Sequence, residues 1–132
     1  MSDLSRYERG SISGFVVVLS MTFVACAGLA FDGGRMIAAR AEATDAAENA
    51  ARAGAQQVTS LRSGNPIIDK SAATISGNRF LETIGITGVV TADENSVTVT
   101  TNIKVPMILL GIFGVRDKSV SAVRSAQPFT SP

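Results

Sequence analysis

The spacing of apolar residues changes three times along this chain. From Gly10 to Phe31 no residue is charged, and Ile12 to Phe31, ISGFVVVLSMTFVACAGLAF, is broken only by Ser13, Gly14, Ser20, Thr22 and Gly28. No polar face recurs at helical or strand spacing in this run. As a helix rising ~1.5 Å per residue it covers ~30 Å, the thickness of a bilayer's hydrocarbon core. A buried soluble helix is the competing reading. The remaining ~100 residues are too few to wrap a helix that is apolar all round. The run is therefore read as a transmembrane helix over 12–31, following a short N-terminal segment, 1–11.

The second pattern begins at Asp32. Asp32 suits an N-cap, with Gly33 and Gly34 after it as a hinge at the membrane surface. Over 32–62 the chain is rich in Ala, the strongest helix former, and Glu48 and Arg52 form an i,i+4 pair. Ala39, Ala43, Ala46, Ala50 and Ala53 recur at three- and four-residue steps. Such a stripe buries few CH₂ groups but lets another surface approach closely. This predicts a stalk helix whose small-residue face, centred on those five alanines, packs against another copy or another envelope helix. The alternative is that the chain's own strands and second helix cover its upper half.

Ser63-Gly64-Asn65-Pro66 interrupts the stalk. Asn65 as cap and Pro66 at the first helical position predict a second helix from Pro66 to about Thr83, with Ile68, Ala72, Ile75 and Phe80 on one face and Gly85 or Gly88 at its end. The period then drops to two. Val97, Val99, Thr101, Ile103 and Val105 alternate with polar residues, GVVTA precedes them across an Asp93-Glu94-Asn95 turn, and Lys118 to Gln127 reads as a third strand. Three strands with one apolar face need a helical cover. The fold class is α+β: a long N-terminal transmembrane helix, an Ala-rich stalk, a second helix and a small antiparallel sheet, with 63–132 as a small exported domain. Pro106 to Gly114, PMILLGIFG, is too short to span a bilayer. It is either a loop tucked into the core or an exposed apolar knob that meets a membrane or a partner.

Composition narrows the function. The chain of 132 residues has 12 Lys+Arg against 11 Asp+Glu, which gives no basic surface for nucleic acid. It has no His and one Cys, so neither a zinc site nor an internal disulfide is indicated, and no cofactor or metal is expected. The carboxylates are scattered, and Asp45 and Glu48 read as a solvated helix face. DGGR, Asp32 to Arg35, follows an apolar segment and lacks the spacing of a phosphate-binding loop. No catalytic set can be assembled, and the protein is read as a non-enzyme.

Processing leaves alternatives open. The apolar run is read as a retained anchor, but Ala25 and Ala27 stand at signal-peptidase spacing and FVAC resembles a lipobox with Cys26 as the lipidated residue. Arg6 and Arg9 before the run nearly balance Arg35 and Arg40 after it. The short N-terminal side argues for a cytoplasmic N-terminus and an extracytoplasmic C-terminal domain.

ERGS at Glu8 to Ser11, GLAFDGGR at Gly28 to Arg35 and AARAEATDAAENAARAGA at Ala38 to Ala55 resemble the TadE/TadG-like proteins of Flp-type (tight adherence) pilus assembly, particularly the short actinobacterial kind. The strand–Pro–apolar–strand ending, VTVTTNIKVPMILLGIFGV with KSVSAVRSAQ, is similar as well. The resemblance implies a single-pass, pilin-like protein of the cell membrane. It would act in pilus biogenesis or secretion assembly as a minor pilin-like or accessory subunit. Membrane lipid, other assembly subunits and a second copy of the chain would be its partners. The runner-up is an exported binding module, cleaved or lipidated at Cys26. Pilin-like precursors are cleaved after a Gly, and many carry Glu at the fifth mature position. Cleavage after Gly10 would leave Ser11 first and Phe15 fifth, and cleavage after Gly14 would put Leu19 fifth. Neither is a carboxylate, so a permanently anchored accessory role fits better than filament incorporation.

Overall fold

The computed structural model describes residues 4–59 and 66–129, with side chains from Ile12 onward. The element order is α1 (Leu4–Ala55), β1 (Val58–Thr59), β2 (Ile67–Ile68), α2 (Lys70–Ile84), β3 (Thr87–Ala92), β4 (Val97–Val105), a short 3-10 helix (Leu110–Phe113) and β5 (Lys118–Ala126). This is the α+β arrangement the patterning predicts. The described residues fall into two compact units, 4–35 with 106–117, and 36–59 with 66–105 and 118–129.

In the second unit β3, β4 and β5 form an antiparallel sheet in that order. Val90 pairs with Val99, and Val99 in turn with Arg124. The β3–β4 turn falls at the predicted place, with the Asp93 N–H donating to the Ser96 carbonyl at 2.8 Å. Val97, Val99, Thr101 and Val105 are buried along β4, Ile103 is half-buried, and Thr100 and Asn102 are exposed. The alternation fixes which face of β4 meets the helices.

The cover is the Ala-rich part of α1 together with α2. Ala46, Ala47, Ala50, Ala51 and Ala55 form one core with Ile68, Ala73, Leu81, Val90, Val97 and Val99. Backbones come unusually close here. A Cβ on Gly54 would lie 3.0 Å from the Ala73 carbonyl oxygen and 3.0 Å from Val97 Cγ1. The core is thin, and small residues on α1 supply contact area by proximity where they cannot supply it by size.

Four expectations change. Asp32 is not an N-cap, because α1 runs through it and through Gly33 and Gly34 to Ala55. The Ala-rich helix stops at Ala55, short of Arg62, and Arg62 lies outside the described residues. Past Ala55 the β-branched pair Val58–Thr59 finds an antiparallel partner in Ile67–Ile68, which local helix propensity does not anticipate. That pairing also delays α2. Its cap is Asp69, whose carboxylate accepts the Ala72 N–H at 3.0 Å, while the expected cap Asn65 lies outside the described residues and Pro66 precedes β2. The buried face of α2 is Ala73, Gly77 and Leu81. Phe80 and Ala72 are half-buried at its edge, and Ile75 points to solvent. Of the two expected stops, Gly85 or Gly88, it is Gly85 that ends the helix, in the left-handed region at φ 72°.

Candidate functional site

The first part of α1 is built for an apolar surround. Phe15, Val17, Met21, Phe23 and Leu29 are all exposed, with Phe15 at 67%. Its hydroxyls turn inward to the helix: Ser20 Oγ donates to the Val16 carbonyl at 2.8 Å and Thr22 Oγ1 to the Val18 carbonyl at 2.9 Å. Backbone bonding inside the helix and hydroxyls satisfied by it meet the requirement that hydrocarbon imposes on a spanning segment. The helix is long and apolar enough to cross a membrane, with a mean hydropathy of 2.2 in its most apolar window.

At the C-terminal edge of that run the 106–117 segment returns to the helix. Asp32 is buried, and its two carboxylate oxygens accept the N–H groups of Ile108, at 3.2 Å, and Leu110, at 2.7 Å. Arg35 Nη1 donates to the Pro106 carbonyl at 2.7 Å. The carboxylate thus serves the start of the 3-10 helix as a capping anion rather than the start of α1. The Leu110 N–H holds the Asp32 carboxyl below its ordinary value, against the opposing cost of desolvation, with the Ile108 N–H helping. The far end of the turn is closed by Gly114, in the left-handed region at φ 84°, whose N–H bonds the Gly111 carbonyl at 3.0 Å. Leu109 packs where Gly28 has no side chain, since a Cβ there would stand 3.2 Å from Leu109 Cβ.

The small-residue stripe is taken up inside the chain. Ala39, Ala43, Ala46 and Ala50 are buried within the chain's own unit and Ala53 is half-buried. Thr101 Oγ1, fully buried on β4, donates to the Ala43 carbonyl at 2.7 Å, and Ser76 Oγ of α2 donates to the Ala53 carbonyl at 3.2 Å. A partner helix cannot take this face while the sheet and α2 occupy it. The chain's own sheet and α2 thus cover the stripe, the alternative read for its upper half, and the cover extends to Ala39, Ala43 and Ala46. A buried Thr in an otherwise apolar alternation was the available signal, because its hydroxyl requires an acceptor across the core.

Of the remaining sequence candidates, Gly33 and Gly34 are helical with open space where a Cβ would be. Gly10 and Ser11 are in the helix, and Cys26 is exposed on it. Glu48 and Arg52 pair on the surface as their spacing predicts. Among the described residues no group of three His, Cys, Asp or Glu side chains could hold a metal ion.

Residues 10–57 match the Tad family model, Flp pilus-assembly TadE/G-like. Helix α1 carries a TadE/G-like segment. The match covers GLAFDGGR, the Ala-rich run and the last two residues of ERGS, while VTVTTNIKVPMILLGIFGV and KSVSAVRSAQ lie outside it; it ends two residues beyond Ala55, where α1 ends. No match was found among curated proteins or solved structures. The TadE/G-like segment thus holds both the exposed apolar run and the alanines that the sheet covers.

Proposed function

We propose that this chain is a single-pass membrane protein that acts, without enzymatic activity, in Flp-type pilus assembly. It would serve as an accessory or minor pilin-like subunit with a cytoplasmic N-terminus and an extracytoplasmic sheet unit. One observation carries the reading. The TadE/G-like match, 10–57, coincides with a helix whose first part exposes large apolar side chains over the length of a bilayer core. Among the described residues those side chains stay largely exposed, and lipid is the surround in which they are stable.

A retained anchor is favoured over cleavage or lipidation at Cys26 because the family match runs through that residue. Removing the chain before Cys26 would discard part of the matched segment. The cytoplasmic N-terminus is what the resemblance to TadE/TadG-like proteins implies, since Arg6 and Arg9 before the run nearly balance Arg35 and Arg40 after it.

The test combines location with assembly. In a Cys26→Ser background, Thr59→Cys should react with a membrane-impermeant maleimide in intact cells, and Ser5→Cys should react only after lysis. Mass spectrometry of the mature chain should find residues N-terminal to Cys26. Deleting the protein should remove surface pili, and the full chain should restore them. Unchanged piliation after deletion would reject the assembly role, and labelling at Ser5 in intact cells would invert the topology.

A further inference from the structure

The 106–114 loop has no place in the reading above, and its chemistry is unusual for a connection between two strands. From Val105 to Val115 there is no charged residue, while Lys104 and Arg116 flank the stretch. Met107 is buried, but Ile108, Ile112 and Phe113 are exposed, Ile112 at 79%. A loop in water seldom concentrates large apolar side chains on its outside.

Its position within the first unit explains them. The loop is fastened to α1 at Gly28, Asp32 and Arg35, the edge of the apolar run. From there Phe113 shares an open groove of about 470 Å³ with Val18, Met21, Ala25, Cys26 and Leu29. Val18 to Leu29 lies wholly inside the run read as the membrane span, so Phe113 lies beside helix that faces hydrocarbon. The loop's backbone is also prepared for such a place. Asp32 takes two of its N–H groups, Arg35 takes the Pro106 carbonyl, and the Ile112, Gly114 and Val115 N–H groups bond carbonyls within the turn. Non-helical backbone at membrane depth is tolerated where protein satisfies its polar groups.

We propose that residues 106–114 form a second membrane-contacting element, a short wedge that dips into the lipid beside α1 with Ile108, Ile112 and Phe113 against acyl chains. The occupant of this apolar surface is lipid hydrocarbon because the surface continues that of the span. The inference rests on the reading of Ile12–Phe31 as membrane-spanning, and the experiment separates the two.

The chain contains no Trp, so single-Trp variants report one place each. Full-length Phe113→Trp, Ile112→Trp and Val17→Trp would be reconstituted in phosphatidylcholine–phosphatidylglycerol vesicles. Their acyl chains would be brominated either near the glycerol end or near the methyl end. Val17→Trp should be quenched most by the deep bromines. Phe113→Trp and Ile112→Trp should also be quenched by the lipid bromines, with blue-shifted emission and little response to aqueous iodide. If Val17→Trp is lipid-quenched while both loop variants are quenched by iodide and ignore bromine, the wedge is wrong and the span stands. The loop would then face water or another protein. If Val17→Trp also ignores bromine, the span reading fails and the wedge fails with it.

Discussion

Two stretches of α1 invert the usual relation between side-chain size and burial. In Ile12–Phe31 the large residues, Phe15, Phe23 and Leu29 among them, are exposed. In Ala39–Ala55 the small ones are buried, with Ala43, Ala47, Ala50 and Ala51 at 0%. Both stretches are helical, but Ile12–Phe31 carries no charge, whereas Ala39–Ala55 turns Arg40, Glu42, Asp45, Asn49 and Arg52 outward opposite its alanines. The difference lies in what each can be covered by. Large apolar side chains projecting on all sides leave no single direction from which one protein layer could cover them. Alanines on one stripe let a sheet and a second helix approach until Thr101 reaches the Ala43 carbonyl. A side chain's hydrophobicity therefore tells which surround it needs, and its size decides whether a thin protein layer can provide that surround.

The sharpest way to break this contrast is a charge in the covering sheet. Val99 is fully buried against the alanines, so Val99→Asp leaves an unpaired carboxylate there. The cost is ~3–5 kcal/mol, a large part of the ~5–15 kcal/mol that holds a domain folded. The strand signal in circular dichroism should lose its cooperative melt, while the same change at exposed Val89 should leave the melt in place. Survival of the Val99→Asp melt would mean that the β4 register is wrong.

Bulk on the small face comes next. Ala43→Leu overpacks a site with no exposed surface and should cost ~1–3 kcal/mol, lowering the melting temperature of the sheet unit in detergent. An unchanged melting temperature would return this face to the role of a partner surface. Ala27→Leu, on the exposed stretch, should leave that melting temperature where it is.

Two glycines give a smaller effect of opposite sign. A Cβ on Gly77 would stand 2.9 Å from Val90 Cγ1 and 3.4 Å from the Ala50 carbonyl oxygen. Val90 is β-branched and held in a paired strand, so it gives way poorly. Gly77→Ala should destabilise despite a helix-propensity gain of ~1 kcal/mol. Gly34→Ala meets nothing within 4 Å and should keep the whole of that gain. Slower amide exchange around residue 34 in Gly34→Ala would show it, and faster exchange at 33–36 than at neighbouring helical residues in the parent would support the hinge proposed for Gly33 and Gly34.

The smallest effect is a pH dependence confined to strong acid. The folded Asp32 carboxyl titrates below its ordinary value of 3.8, so its contribution is complete above that value and is lost as pH falls through the folded one. Emission of Phe113→Trp should be flat from about pH 8 to about pH 5 and change only below ~4. A change already near neutral pH would show that Asp32 is not the acceptor for the Ile108 and Leu110 N–H groups.

Local pattern was enough for elements whose cause is local. The apolar run, the Ala-rich helix, the alternation along β4, the Asp93–Asn95 turn and the Gly85 stop could all be read in order along the chain, because each depends on spacing or on one residue's backbone freedom. The family match over 10–57 falls on the first two of these, the apolar run and the Ala-rich helix. What joins distant residues could not be read this way. Asp32 has the charge of an N-cap and caps a turn more than seventy residues later, because the 106–117 segment returns to it. Val58–Thr59 follows a strong helix former, and only its pairing with Ile67–Ile68 makes it a strand and moves the start of α2 to Lys70. The alanine stripe announces close packing without naming the partner, because small side chains specify a distance of approach and little else. The chain's own sheet came to occupy it, since β4 presents Val97, Val99 and Thr101 on one face and their burial requires a surface that near.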